Sequence, residues 1–317
     1  MSVAACLLLY SVAIAAAAPP LLTRMTRDGI APHLGVAAWV AAIGSVVLSW
    51  VTVAVLLLTQ LIQGWPSPGL SVISSCLANL REVISGRAGV ALQVGVVAVA
   101  VMAVSTALGR LGFRLRRMRA QTHGHARMAR IIGRRIDGLD AVILDAPERA
   151  AYCVAGKPHA IVLTSAALAA LDERQLSAVL AHERAHLTGR HPQLLAILRG
   201  LSTTLPRVAL LTIGAAEVAR LLEMCADDRA ARTHGSRTLL GGLLALSGPG
   251  PIPAGTLGAT SIAVLDRAGR LAAPPAPAQR IRMRVLLTSV TTIITAGPLV
   301  TTALAAAGVM LCGPMAL

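Results

Sequence analysis

Long uninterrupted apolar runs, separated by short stretches where arginine collects, dominate the hydropathy pattern of this chain. Runs over 3–22, 34–62, 89–111 and 285–311 each reach the roughly 20 residues that a helix needs to cross a bilayer. The second is longer than that and must tilt or emerge from the membrane. Ala15 to Ala18 could close a secretory leader, but the segment before them lacks the positive start such a leader needs, so it reads as a retained span. The pattern therefore predicts a mainly α, integral membrane fold with about four transmembrane helices. Residues 1–113 hold three of them, 114–284 form a separate domain, and 285–317 supply the fourth and a short tail.

The central region has a different rhythm. Short β-prone runs at 141–144, 151–154 and 159–164 are separated by Asp145-Ala146-Pro147-Glu148 and by Gly156-Lys157-Pro158, as strands joined by turns would be. Helical patterns follow, so the domain reads as α+β. The stretch 194–222 is apolar but interrupted by Arg199, Arg207, Glu217 and Arg220. Charges at mid-bilayer are costly, which favours buried or membrane-skimming helices there over a spanning hairpin. Residues 241–263 are rich in glycine and proline and read as a loop able to gate a site.

Composition agrees with a membrane protein: 55% hydrophobic, 14% charged, and a mean hydropathy of +0.70. The formal charge of +15 comes almost wholly from arginine, with Lys157 the single lysine. Arg110, Arg114, Arg116, Arg117 and Arg119 crowd beside the third run, which fits orientation in a membrane better than nucleic-acid binding. The loop after the second run, 66–87, carries few cations, and Trp65 before it suits an interfacial anchor. This charge pattern places the central domain in the cytoplasm, both termini outside, and the chain in the plasma membrane as a multi-pass protein with lipid as a partner. Five scattered cysteines, with no Cys-x-x-Cys, imply neither a disulfide framework nor a thiolate metal site.

Chemistry concentrates at 176–187, an apolar helical pattern that contains His182-Glu183-Arg184-Ala185-His186. Residues four apart on a helix lie one turn above each other, so His182 and His186 can close on one metal ion. Glu183 then sits about 100° around the helix, within reach of a water held by that metal. Zinc suits neutral imidazoles and tolerates an open coordination position. Two histidines satisfied in a core would share this spacing, but the flanks favour a built helix. Asp172 with Gln175 makes a capping box, and Gly189 followed by Pro192 closes the segment.

A third protein ligand is needed. Downstream, Leu221-Leu222-Glu223-Met224-Cys225-Ala226-Asp227-Asp228-Arg229-Ala230 is again helical, with Glu223 and Asp227 on one face. Glu223 can bind the metal while Asp227 orients a ligand histidine. A solvated acidic face is the bland alternative, yet acids are scarce here and these sit among apolar residues. His191 is a poor third ligand. An elongated His-Glu-x-x-His-x-x-Gly-x-x-His pattern would put its last histidine at 192, which is Pro192.

These two motifs resemble those of the gluzincin membrane peptidases, and most of all the BlaR/MecR antirepressor metallopeptidases, with HtpX and the CAAX-prenyl endopeptidases as more distant likenesses. The resemblance spans about residue 89 to the C-terminus. It implies a zincin-like domain in which His182, His186 and Glu223 bind Zn²⁺ and Glu183 activates water, and in which a strand ahead of the motif helix pairs with substrate backbone. In BlaR/MecR proteins such a domain leads to loss of a DNA-binding repressor, so the implied partner is a protein substrate, a winged-helix repressor being the candidate. Receptor-type members carry a penicillin-binding sensor after their last span, which is not expected here. The other readings are a broad quality-control protease of the HtpX kind and a catalytically silent receptor that keeps the fold. Pro274-Pro275 and Arg280 echo the His-Pro-Pro…Arg element of HtpX-like relatives, although Ala273 stands where the histidine would be. That echo makes Arg280 the candidate for oxyanion stabilisation.

Overall fold

The chain folds around a pair of apolar helices joined by a sharp turn. In the computed structural model, residues 3–63, 87–136, 139–156, 159–247, 259–273 and 275–306 are described. Helix α1 (Val3–Thr26) and helix α2 (Pro32–Gln63) are linked through Gly29, whose φ of 59° only glycine adopts without strain. Trp50 Nε1 donates to Ser11 Oγ at 3.1 Å, fastening the two helices along their length. The last helix, α10 (Pro277–Ala306), packs beside them, and Tyr10 of α1 donates its hydroxyl to the carbonyl of Ile294 at 2.7 Å.

The first, second and last apolar segments thus form helices. Val3–Thr26, Pro32–Leu56 and Pro277–Leu304 are long and apolar enough to cross a membrane. Their outward side chains include Leu9, Val12, Leu48, Val55, Ile293 and Leu299, all exposed, a surface that suits lipid and suggests membrane association. The segment 89–111 falls within α3 (Arg87–Ile132), where many side chains lie outside the described residues. So do the whole 66–86 loop, Trp65, and residues 307–317. Helix α3 does not end at the arginine cluster. It runs for 46 residues, about 69 Å at 1.5 Å per residue, and carries Arg110 to Arg119 in its middle.

Beyond α3 comes a small mixed sheet. Strands β1 (Arg134–Arg135), β2 (Val142–Leu144), β3 (Ala151–Val154) and β4 (Ala160–Thr164) lie in the order β1-β2-β4-β3. β2 and β4 run parallel, while β1 and β3 are antiparallel to their neighbours. β3 is consequently an edge strand, paired only with β4 among the described residues. The far half of α3 closes one face of the sheet, with Ala126 and Ala129 against Val154 and Val162. A short helix, α4 (Ser165–Ala170), leads into α5 (Glu173–Thr188), which packs on the sheet through Leu180 and Ile161.

The ambiguous stretch 194–222 is helical and buried. It forms α6 (His191–Thr204) and the first half of α7 (Ala209–His234), whose Leu198, Leu210, Leu211, Val218 and Leu221 share one core with Trp39, Ile43 and Val46 of α2. Two of its four charges are paired. Arg220 pairs with Glu217 at 2.8 Å and donates to the carbonyls of Thr26 (2.8 Å) and Arg27 (3.1 Å), which α1 leaves open at its C-terminal end.

The expected loop at 241–263 is corrected in part. Residues up to 247 belong to α8 (Ser236–Ser247), and α9 (Ala259–Ala272) begins at 259; residues 248–258 lie outside the described set. Gly242 is there for packing: a Cβ would come within 3.0 Å of Val179 on α5.

Gly214 of α7 has a similar task against α2, where a Cβ would approach Ile43 to 2.9 Å and Trp39 to 3.1 Å. Gly214→Leu should therefore cost about 1–3 kcal/mol and lower the thermal midpoint of the detergent-purified protein. Gly44→Ala, inside α2 where nothing lies within 4 Å, should hold or raise that midpoint.

Candidate metal centre

Helix α5 starts where the sequence places it. Gln175 N donates to Asp172 Oδ1 at 2.8 Å and Asp172 N donates to Gln175 Oε1 at 3.2 Å, a reciprocal capping box. From that fixed start, His182 and His186 fall on one face one turn apart, both buried, with Glu183 buried beside them. Helix α7 crosses α5 and brings Glu223 to the same point. His182 Nε2 lies 3.1 Å from His186 Nε2, and each of these nitrogens lies 3.5 Å from an oxygen of Glu223.

Those separations test whether a metal fits. Ligand atoms bound at 2.0–2.1 Å in a tetrahedron stand about 3.3 Å apart. The three donors here, all within 4.8 Å of one another, match that spacing, so His182, His186 and Glu223 are compatible with a metal site. The tautomers, inferred from the surrounding network, agree. Asp227 Oδ1 is 3.1 Å from His182 Nδ1, although off the line of a straight hydrogen bond, and no other group serves that nitrogen. His191 Nδ1 is 2.9 Å from His186 Nδ1. With a proton on each ligand's Nδ1, both Nε2 lone pairs point at the shared space.

His191 is thus not in the three-donor cluster but stands behind it. It reaches His186 through a tight turn in which Arg190 takes the left-handed conformation, φ 53°. Such a turn costs a non-glycine residue about 1–2 kcal/mol. Gly189 makes room, since a Cβ there would collide with the His191 ring. Burial, with His186 nearby, pushes the His191 pKa down to about 4, which keeps its ring neutral and able to accept.

Asp227 is fully buried and held by a residue that sequence reasoning missed. Arg267 of α9 donates from Nε and Nη2 to its two oxygens at 2.8 and 2.7 Å, and its Nη1 lies 3.2 Å from Glu223. Three residues on, Arg270 donates to Asp228 at 2.7 Å and to the Met224 carbonyl at 2.9 Å. An available signal was the match between adjacent acids on one buried helix and arginines three apart on another. Arg280, by contrast, is exposed in the first turn of α10 and makes no side-chain bond to the cluster among the described residues.

Electrostatics separate the carboxylates. Burial opposes charge on both Glu223 and Asp227, yet their histidine and Arg267 partners outweigh it and hold both well below the usual carboxylate range. Burial also opposes charge on His182, but Asp227 and Glu223 raise it to about 9. Holding a metal would require Nε2 of His182 to give up that proton. Glu183 moves the other way, its pKa raised chiefly by burial. The Cys153 thiol on edge strand β3 lies against it and is pushed up to about 12 by burial and that carboxylate. Cys153 thereby places β3 directly over Glu183, a relation no local pattern announces.

Beside the cluster, His186, His191 and Cys153 open onto a cleft of about 640 Å³, bounded by α3, β3 and α6. Residues 115–243, which include the three donors, Glu183 and Asp227, match the model of Peptidase family M48. No curated protein and no solved structure matches the chain. The family match and the metal-compatible cluster fall in the same central region, which is thus similar to the M48 metallopeptidases.

Proposed function

We propose that this chain is a zinc-dependent membrane endopeptidase of the BlaR/MecR kind, acting from the cytoplasmic side on a polypeptide such as a winged-helix repressor. The observation that carries the reading is the convergence of His182, His186 and Glu223 at tetrahedral spacing beside a buried Glu183. Zinc there would supply Lewis acidity, polarising the scissile carbonyl and acidifying a water in the remaining coordination position. Glu183, with its raised affinity for protons, takes a proton from the attacking water and returns it to the leaving amine. Asp227 and His191 hold the ligand histidines in orientation, while the free edge of β3 aligns substrate backbone by strand addition. The region 114–284 lies between the third and fourth spans and opens to the cytoplasm, with 194–222 seated against the spans and both termini outside.

Glu183→Gln should keep most of the bound zinc and lose proteolysis by 10²–10⁴-fold or more, because one residue serves both proton transfers. The readout is disappearance of a co-expressed repressor, with zinc measured on the purified protein. Wild-type cleavage in that variant would remove Glu183 as the base.

The ligand set is tested by two substitutions. Glu223→Ala should abolish stoichiometric zinc, whereas His191→Ala should weaken it by about 10–100-fold, the usual effect of losing a ligand's supporting partner. Equal loss in both would put His191 among the ligands.

Reporter fusions test the orientation. Signals at residues near 125 and 270 should be cytoplasmic, and those near 75 and the C-terminus extracytoplasmic. An external signal at 125 would end the repressor reading.

A further inference from the structure

The cleft beside the metal cluster has a charge character that the peptidase reading leaves unused. Its walls are the Leu115–His125 stretch of α3, Tyr152 to Val154 of β3 with Ala155 after it, and the first turns of α6. No carboxylate lines it among the described residues, whereas Arg119 and Arg199 both do. Both guanidinium groups are exposed, and neither has a carboxylate partner among the described residues. Elsewhere around the site Arg184, Arg220, Arg267 and Arg270 are each tied to an acid, at 3.3, 2.8, 2.7 and 2.7 Å respectively.

The two free cations sit on elements clamped together. Gly200, next to Arg199, lets α6 approach α3 so closely that a Cβ would come within 2.7 Å of Leu111 and 3.6 Å of Leu115. Arg119 is one turn beyond Leu115 on that same helix. Leu115, Met118 and Leu195 give the cleft apolar walls, which reduce dielectric screening and strengthen the field of nearby charges. Residues of the β3 edge and His186 line this same space, so on the peptidase reading a peptide paired with β3 would run on into it.

Resting on the peptidase reading, we infer that the cleft selects polypeptides with an acidic side chain near the scissile bond, bound by Arg119 and Arg199. Arginine forks suit carboxylates, and at this exposure two such pairs give a preference of about threefold to tenfold, weakened by salt. Anionic lipid headgroups are the competing anion for arginines on a helix that approaches the membrane.

The test uses the full-length, zinc-loaded protein in phosphatidylcholine nanodiscs. Matched peptides carry glutamate, glutamine or lysine at each position flanking one bond. Cleavage by the wild type and equilibrium binding to the Glu183→Gln variant are both measured. Glutamate at one or two positions should improve kcat/KM and Kd by about threefold to tenfold over glutamine, and lysine should be worst. The double substitution Arg119→Gln, Arg199→Gln should collapse the glutamate-to-glutamine ratio toward one while zinc content holds. Cleavage without any glutamate preference in either measurement would overturn this inference and leave the peptidase standing. A glutamate preference in binding with no peptide cleaved by the wild type would do the reverse. If the double variant keeps its peptide ratio but loses binding to phosphatidylglycerol vesicles, the arginines serve lipid and the inference fails.

Discussion

Everything at the site hangs on one buried carboxylate. Asp227 is without solvent exposure, gripped by both forks of Arg267 and facing His182. Buried charges are costly unless satisfied, and this one is satisfied from two elements that sequence separates by 40 residues and more. Its contacts join α5, α7 and α9, so the ligand histidine, the ligand glutamate and the distant arginine share one electrostatic knot. Removing Arg267 would leave an uncompensated anion in a place built for a pair, which is far worse than losing a surface contact.

A second constraint ties that knot to the apolar half of the molecule. Helix α7 carries Glu223 and Asp227 toward its middle, while its first half is sunk among Trp39, Ile43 and Leu287. Met224, adjacent to the ligand, packs against the turn at Gly29 between the first two helices. Arg220 caps the end of α1 one turn earlier. The candidate centre is therefore built onto the membrane-suited helices, and its geometry depends on how those helices pack.

Local signals were legible where the chemistry is local. The capping box at Asp172 and Gln175, the four-residue spacing of His182 and His186, and the spacing of Glu223 and Asp227 all lie within one or two helical turns, and the folded chain forms the cap and brings these four site side chains together. Three of the four strands also emerged, because turn residues bracket β-prone runs, whereas β1 is only Arg134–Arg135 and carries no such pattern. Arg267 did not, since its only signal, the match of Arg267 and Arg270 to Asp227 and Asp228, joins two segments 40 residues apart. Glycines at 241 and 242 misled in the opposite direction: they mark close approach between helices, which looks like loop chemistry when only composition is visible. The arginine cluster at 110–119 read as a boundary, yet arginine is a good helix former and the backbone has no reason to stop there.

That unbroken helix has a mechanical meaning. One end of α3 begins at Arg87, and the other forms a wall of the cleft near His125. Between them lie about 57 Å of continuous hydrogen-bonded backbone, so the two ends move as one rod. A pivot of about 5° at the near end carries the far end through about 5 Å. The space beside the metal cluster thus shares a wall with a helix whose other end lies in an apolar segment of the chain.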